Sequence, residues 1–427
     1  MPGPTAATPA HRPRGADDLA IVLTGGGARA AYQVGFLRWV ARHIPDAHFP
    51  IVSGVSAGAI NAAYLAAHPG PLAVAAERLC DLWSRLTADR VFRADGPSLA
   101  GLVARWGIRL LAGGTPLAPT VQGLVDTSPL RDTLAGVFDS DPGDGAISGI
   151  ADNIEAGRLW ALALVTSHYG TGHSVVWTQG RDLHQWERAD RHSRNTALTL
   201  DHVLASSALP LFFPAVRLAD GWHGDGGIRL TAPFSPALRL GANRVLAIST
   251  RYVAAEGTGG DDAPGHPPPM QIAGQLLNAV FLDDLDRDAQ ELERINLLLH
   301  DVAPEKRRGM REVELLVIRP STDLSRLAAE DEAHLPRVFR HLVRGLGSRE
   351  IASPDVLSLL TFEPEYLRRL IALGETDAAA RADDIRALIA GGGRRTAASG
   401  TSAASASGTC ARDKAESRRE DRAEELR

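Results

Sequence analysis

Ser56 stands between two glycines in the stretch IVSGVSAGAIN, residues 51–61. Gly54, Ser56 and Gly58 fit the pattern G-x-S-x-G, in which a sharp turn between a strand and a helix exposes the serine oxygen. Glycine suits such a turn because it has no side chain to obstruct a close backbone approach. The following helix would place partial positive charge near the serine, which favours an alkoxide and a negative tetrahedral intermediate. The pattern predicts a nucleophile at Ser56, although an ordinary glycine-rich turn has the same five-residue form.

A second glycine-rich loop, formed by Gly25, Gly26 and Gly27, also lies between an apolar run and a helical pattern. Its backbone N–H groups could bind a phosphate or stabilise an oxyanion. A dinucleotide site would need an acidic residue at the end of the next strand, and Ser56 follows that strand instead. No lysine followed by serine or threonine comes after the glycines, which excludes a P-loop. This arrangement favours acyl transfer over nucleotide binding.

A serine nucleophile needs a base, and the sequence offers two kinds. Asp225, Gly226 and Gly227 belong to a polar, glycine-dense stretch in which a carboxylate can approach other backbone closely. Asp-Gly is also among the commonest turn pairs, so a simple turn is an alternative interpretation. Histidine is the competing base; the chain has 14, and His223 is close to Asp225 in sequence. The residues alone leave these alternatives open.

Composition limits the class of protein. With 427 residues, of which 44% are hydrophobic and 23% charged, the chain is an ordinary globular protein with room for a large core. A net charge of -5 gives no indication of a nucleic-acid-binding surface. Cys80 and Cys410 lie too far apart to suggest a zinc site, and no helical histidine pair is present, so neither metal nor cofactor is expected.

The location is inferred from two missing signals. Residues 1–16 contain no apolar segment of a secretory signal, and no apolar run reaches the roughly 20 residues that cross a bilayer as a helix. We therefore expect a cytoplasmic protein, with peripheral contact to a membrane as a further option. The stretch LAGLVARWGIRLLAG, residues 99–113, has an apolar side flanked by arginines and could meet a bilayer surface, but a core helix is the commoner explanation.

Apolar runs alternate with helical patterns along the chain and predict the fold. The predicted strands are residues 19–24, 51–54, 159–166, 173–178, 244–250 and 313–319. These runs are apolar almost throughout, which is typical of strands covered by helices on both faces. We expect a three-layer α/β/α sandwich with a mostly parallel central sheet. Helical insertions are expected across residues 71–150, and a long amphipathic helix across residues 270–302.

Several motifs, in this order, resemble the bacterial patatin-like phospholipase family: TGGGARAAYQVGFL, GVSAGAIN, ASSALPLFFPAV followed by DGGIRLTAP, and RLGANRVLAIS. The resemblance runs from about residue 18 to residue 320. It implies a catalytic dyad in which Ser56 is the nucleophile and Asp225 is its base, without a histidine. An aspartate with an ordinary pKa near 3.9 is a weak base, so burial would have to raise its proton affinity.

The resemblance also implies roles for the glycine loop. Gly25, Gly26 and Gly27 would supply N–H groups to the oxyanion, with Arg29 nearby. The chain departs from the family at Ala30, where a last glycine is usual. A methyl group there leaves the amides upstream untouched, so we expect activity to be retained.

These inferences combine into a predicted domain organisation and function. Residues 1–16 and 391–427 are expected to be disordered, residues 17–320 to form the patatin-like acyl hydrolase domain, and residues 321–390 to form a helical extension. The predicted function is hydrolysis of lipid acyl esters, of the phospholipase A or lysophospholipase type, through a covalent acyl-enzyme and with no nucleic-acid partner. The alternatives are a histidine-dependent esterase of the α/β-hydrolase type and a non-catalytic module that binds lipids or nucleotides.

Overall fold

The computed structural model describes residues 18–93, 123–253, 284–330 and 355–391, and these contain a nine-stranded sheet. The strands are β1 (Leu19–Leu23), β2 (Ile51–Val55), β3 (Ala161–His168), β4 (Ser174–Gly180), β5 (Arg191–Asn195), β6 (Val216–Leu218), β7 (Gly221–Asp225), β8 (Arg244–Ile248) and β9 (Glu314–Ile318). They lie in the order β5-β4-β3-β2-β1-β8-β9, and β7 joins β6 to the end of β3.

The five central strands are parallel: β3, β2, β1, β8 and β9 pair in one direction. β4 and β7 pair antiparallel with β3, and β5 runs parallel to β4. Parallel strands expose their carboxyl ends at one edge of the sheet, where loops to the next helices begin. The predicted serine elbow and glycine loop are both at this edge, since they directly follow β2 and β1.

Helices cover both faces of the sheet. They are α1 (Ala31–His43), α2 (Ala57–Ala67), α3 (Leu72–Ser84), α4 (Ala88–Val91), α5 (Ser128–Ala135), α6 (Ser148–Glu155), α7 (Leu200–Ser206), α8 (Ser235–Arg239), α9 (Asp284–His300), α10 (Leu324–Glu330), α11 (Asp355–Leu360), α12 (Pro364–Ala380) and α13 (Ala382–Ala390). Residues of β1 alternate between two apolar cores, with Ile21 in one core and Val22 in the other. The first core includes side chains of α1, α2, α3 and α12, and the second includes side chains of α8 and α9. The predicted α/β sandwich with a mostly parallel sheet is confirmed.

Each of the six predicted strands is present within one or two residues of its predicted ends, but β5, β6 and β7 were not predicted. One consequence concerns Asp225, which is the last residue of β7 rather than part of a turn; the turn begins at Gly226. β7 has the sequence GWHGD, whose two glycines give no apolar strand signal.

Some predicted features lie partly or wholly outside the described residues. The apolar stretch 99–113, both terminal segments and residues 270–283 of the long amphipathic helix are outside them, whereas residues 284–300 of that helix form α9. None of the described helices is both long and apolar enough to span a membrane. The division of the chain at residue 320 stays a prediction.

The C-terminal helices pack on the start of the chain. A Cβ atom on Gly35 of α1 would clash with the carbonyl oxygen of Ile371 in α12, so the two helices approach at backbone distance. The Tyr32 hydroxyl donates a hydrogen bond to Asp377 Oδ2 at 3.0 Å across the same interface. This packing fixes the segment that precedes α12 near the glycine loop.

Candidate active site

Strand β3 places Ser56 and Asp225 side by side. β2 pairs with β3 as far as Val55, which lies opposite Val165, and Ser56 follows at once. β7 approaches β3 from the other direction and places Asp225 opposite Thr166. Because Val165 and Thr166 are consecutive, two residues far apart in sequence meet at the same point of the sheet.

Ser56 occupies a strained elbow between β2 and α2. Its backbone angles are φ 57 and ψ -135, a region that residues other than glycine rarely adopt. The flanking glycines are required by close contacts: a Cβ on Gly54 would lie 2.6 Å from the Cβ of Ala62, and one on Gly58 would clash with the Leu23 carbonyl oxygen. The turn therefore leaves no space for a side chain at either position.

Asp225 is completely buried. Burial raises the pKa of its carboxyl group to about 7, against the lowering effects of the nearby Ser56 hydroxyl and of the hydrogen bond from the Gly227 N–H. Its Oδ1 accepts a hydrogen bond from the Gly227 N–H at 2.8 Å, while Oδ2 has no partner of regular hydrogen-bond geometry among the described residues. The Ser56 hydroxyl therefore lies near enough to lower the pKa of the carboxyl group, without a hydrogen bond of regular geometry to it. A looser contact of this kind between two candidate catalytic groups is common before a substrate binds.

A short segment, Ser206 to Ala208, holds both residues in place. The Ser206 hydroxyl accepts a hydrogen bond from the Ser56 N–H at 3.1 Å and donates one to the Val165 carbonyl at 2.6 Å. The Ser207 hydroxyl lies 3.0 Å from the Ser56 carbonyl oxygen and 2.9 Å from that of Val203, so its one proton is shared between these two acceptors. The Asp225 N–H donates to the Ala208 carbonyl at 3.0 Å. The strained elbow and the end of β7 are thus fastened to the same piece of backbone.

This segment belongs to the motif ASSALPLFFPAV, from which no role of its serines was predicted. Small polar residues at the C-terminal end of a helix were the available signal. Their shared partner Ser56, however, is about 150 residues away along the chain, and the contact is identified only once the sheet is assembled.

The glycine loop lies against the serine. A Cβ on Gly25 would be 2.9 Å from the Cβ and 3.5 Å from the Oγ of Ser56. The Thr250 hydroxyl donates to the Gly25 carbonyl at 2.6 Å, which fixes the orientation of the first peptide of the loop. Gly26 and Gly27 line the cavity next to Ser56, and their N–H groups donate to no backbone acceptor within the part of the chain that the structure describes. The loop therefore has N–H groups available beside the serine.

Arg29 is buried directly behind this loop. Its Nε donates to the Ser358 hydroxyl at 2.7 Å and one terminal nitrogen donates to the Ser325 hydroxyl at 3.0 Å. These bonds connect the loop to α10 and α11. A direct role of Arg29 at the oxyanion stays a prediction, whereas its contact with the C-terminal helices is a feature that the sequence did not indicate.

Ser56 lines a small apolar cavity with a volume of about 50 Å³. Its walls come from α2 to α5, from residues after α7, and from the segment that ends α11. Ser56, Thr133 and Ser207 are the polar side chains among its described lining, and apolar side chains make up most of the rest. The cavity suits a thin hydrocarbon chain better than a polar ligand.

His223, the competing base, is buried and engaged elsewhere. Its Nδ1 lies 2.9 Å from the Thr166 hydroxyl oxygen and its Nε2 lies 2.8 Å from Asp220 Oδ1. Because the Trp177 indole N–H donates to the same hydroxyl at 2.8 Å, the Thr166 proton is directed to the imidazole. Both ring nitrogens are then used by groups other than Ser56.

The same histidine belongs to a group that could be mistaken for a metal site. One ligand atom from each of His168, Asp220 and His223 lies within 4.8 Å of the other two. In His168, Nδ1 accepts from the Thr171 N–H at 3.0 Å and Nε2 lies 3.1 Å from the Asp220 carbonyl oxygen. Hydrogen bonds within the protein therefore occupy the nitrogens that a cation would need.

The fold and the elbow define an α/β protein in which a serine stands between a parallel strand and a helix, the arrangement found in many hydrolases. The model of the family described as patatin-like phospholipase matches residues 21–238, just over half of the chain. The chain belongs to this family. A comparison with curated proteins found no match.

Several solved structures are similar to this chain. Human GIVD cytosolic phospholipase A2, in complex with methyl gamma-linolenyl fluorophosphonate, is 14% identical with a TM-score of 0.43; the match covers 88% of this chain and 58% of that one. VipD from Legionella pneumophila is 12% identical with a TM-score of 0.29, over 84% of this chain and 67% of that one. The chain thus spans less than two thirds of the length of the human enzyme.

Proposed function

We propose that the protein is a serine acyl hydrolase that cleaves lipid acyl esters of the phospholipase A or lysophospholipase type. The observation that carries the proposal is a buried carboxylate, Asp225, beside the Ser56 hydroxyl, which lines an apolar cavity. Family membership supports a lipid substrate, and the cavity lining agrees with a hydrocarbon chain.

In the first half-reaction, Ser56 Oγ attacks the acyl carbonyl carbon while its proton passes to Asp225. The carbonyl oxygen gains negative charge, which N–H groups of Gly26 and Gly27 stabilise. The intermediate collapses, the bond to the alcohol breaks, and the leaving alkoxide takes the proton from Asp225. An acyl group is then esterified to Ser56.

In the second half-reaction, a water molecule attacks the same carbonyl carbon and gives a proton to Asp225. Breakdown of this second intermediate releases the fatty acid, and Ser56 recovers its proton from Asp225. A carboxyl group with a pKa of about 7 suits both directions of transfer, because it accepts and returns a proton near neutral pH.

The test is release of fatty acid from phospholipids, lysophospholipids, triacylglycerols and short p-nitrophenyl esters. Removing one member of such a catalytic unit costs on the order of 10⁴-fold in kcat, so Ser56→Ala and Asp225→Ala should each lose nearly all turnover. Ser193→Ala is a matched control, since this serine is equally buried and binds the Trp186 N–H at 2.9 Å instead. Full turnover in the Ser56 variant would end the proposal.

The two alternatives give different results in the same experiments. A histidine-dependent esterase would lose turnover on replacement of His223 and keep it in Asp225→Asn, an outcome that the engaged ring nitrogens of His223 disfavour. A non-catalytic module would release no fatty acid, and a fluorophosphonate would not label Ser56.

A further inference from the structure

One wall of the cavity comes from residues beyond the family match, which ends at residue 238. Leu359, Leu360 and Phe362, here called the C-terminal wall, line the cavity together with the glycine loop and Ser56. All three side chains are buried. We propose that the C-terminal wall sets the length of the acyl chain that the cleft accepts, a proposal that rests on the function proposed above.

One end of the C-terminal wall contacts the glycine loop beside Ser56. A Cβ on Gly27 would clash with the carbonyl oxygen of Leu359, so this backbone touches the loop that is proposed to hold the oxyanion. An acyl carbonyl placed between that loop and Ser56 would therefore have Leu359 as an immediate neighbour.

The other end of the C-terminal wall meets an aromatic cluster. The ring centroid of Phe362 is 6.3 Å from that of Phe92, and Phe92 is in turn 6.3 Å from Phe213. Phe213 also lines the cavity. The wall thus runs from the glycine loop to bulky rings, and a hydrocarbon chain that starts at Ser56 would lie along it.

Arg29 keeps the C-terminal wall in position. Its buried guanidinium donates to the hydroxyl of Ser358, the residue directly before the wall, and to that of Ser325 in α10. The same residue follows the glycine loop, so the loop and the wall are connected through one side chain. The spacing between the oxyanion position and the wall is fixed accordingly.

The experiment measures kcat/KM for p-nitrophenyl esters from butanoyl to octadecanoyl. Phe362→Ala and Leu360→Ala enlarge the cleft, and Phe362→Leu is a milder variant that is expected to fold if the alanine variant does not. Burial of each further methylene is worth about a fourfold change in binding, so the ratio of long-chain to short-chain kcat/KM should rise about fourfold for each methylene of new space. Ser358→Ala, which removes an acceptor of Arg29, should broaden the chain-length optimum.

Phe138→Ala is the matched control. Phe138 is as buried as Phe362, but it does not line the cavity, and its ring packs on Tyr64 at 6.3 Å. It should lose stability without a change in the chain-length profile. Labelling rates of Ser56 by alkyl fluorophosphonates of increasing length give a second measurement that needs no turnover.

Three outcomes distinguish the chain-length proposal from the proposed function. A longer optimum in the Phe362 and Leu360 variants, with the control unchanged, supports the C-terminal wall as the determinant. In a second outcome, the wild type hydrolyses esters through Ser56 while folded Phe362 and Leu360 variants keep the wild-type order of kcat/KM over chain length. In that case the proposal about the C-terminal wall is wrong and the proposed function stands. If the wild type neither hydrolyses any ester nor is labelled at Ser56, the proposed function fails and the inference fails with it.

Discussion

Replacing Asp225 by asparagine should stabilise the protein at alkaline pH while removing its activity. Asparagine has nearly the same shape, and its side-chain oxygen can keep the hydrogen bond from the Gly227 N–H that Asp225 Oδ1 accepts at 2.8 Å. It carries no charge, so a fully buried ionised carboxylate is replaced by a neutral group at the same place.

The pKa gives the size and the sign of the effect. Burial raises the pKa of Asp225 from 3.8 to about 7, which corresponds to about 4 kcal/mol as an upper limit. Between these two pKa values the native state binds the proton and the unfolded state does not, so the free energy of unfolding falls as pH rises. The destabilisation by the buried charge is absent below the pKa that Asp225 has in the unfolded state. It is complete above the pKa that Asp225 has in the native state.

The assay is urea unfolding of wild type and Asp225→Asn across this range. The variant should be more stable by up to about 4 kcal/mol near pH 9, and the difference should disappear near pH 4. That gain is a large part of a typical total stability of about 5–15 kcal/mol. It would show that the site retains a charged base at the expense of stability.

Asp220→Asn is a control for which we expect the opposite change in the free energy of unfolding. Burial acts to raise the pKa of Asp220, but the hydrogen bond and charge of His223 and the charge of Arg194 lower it overall. Its ionised form therefore stabilises the native state, and the asparagine variant should be less stable at neutral pH. A loss of stability in Asp225→Asn near pH 9, or a difference that does not change with pH, would refute the reasoning.

Three further predictions concern the same site. The kcat/KM for an ester should fall as pH decreases through about 7, because protonated Asp225 cannot accept the Ser56 proton; a pH–rate profile measures this. Ser206→Ala removes the partner of the Ser56 N–H and of the Val165 carbonyl, and we expect kcat to fall about tenfold with little change in KM, which steady-state kinetics against Ser193→Ala would check. His223→Gln should leave fluorophosphonate labelling of Ser56 intact, since both ring nitrogens bind other groups; abolished labelling in a folded variant would favour the histidine-dependent esterase.

Local features of the sequence predicted the elements around Ser56 well. A β-branched run, two glycines and an alanine-rich helix identified β2, the elbow and α2, because each of these signals depends on neighbours in the chain. The central parallel strands were found for the same reason: they are buried on both faces and are apolar along most of their length.

The surroundings of Asp225 could not be predicted in this way. β7 is short and glycine-rich, and it exists as a strand because β3 and β6 pair with it on either side. Its stability is a property of the assembled sheet and not of five residues. Asp225 was assigned as the base through family resemblance, and the buried position that gives it a suitable pKa became visible only in three dimensions.

The conformation of the glycine loop depends on segments that lie beyond the family match. Its Gly25 carbonyl accepts from Thr250, and its neighbour Arg29 donates to Ser358, both beyond residue 238 where the match ends. β8, also beyond the match, pairs with β1 along all five of its residues and so supports the strand from which the loop emerges. The loop would therefore lose a hydrogen bond, an anchoring contact and a neighbouring strand in a fragment limited to the matched residues. Its shape depends on segments that the motif does not include, and the N–H groups proposed to hold the oxyanion depend on them as well.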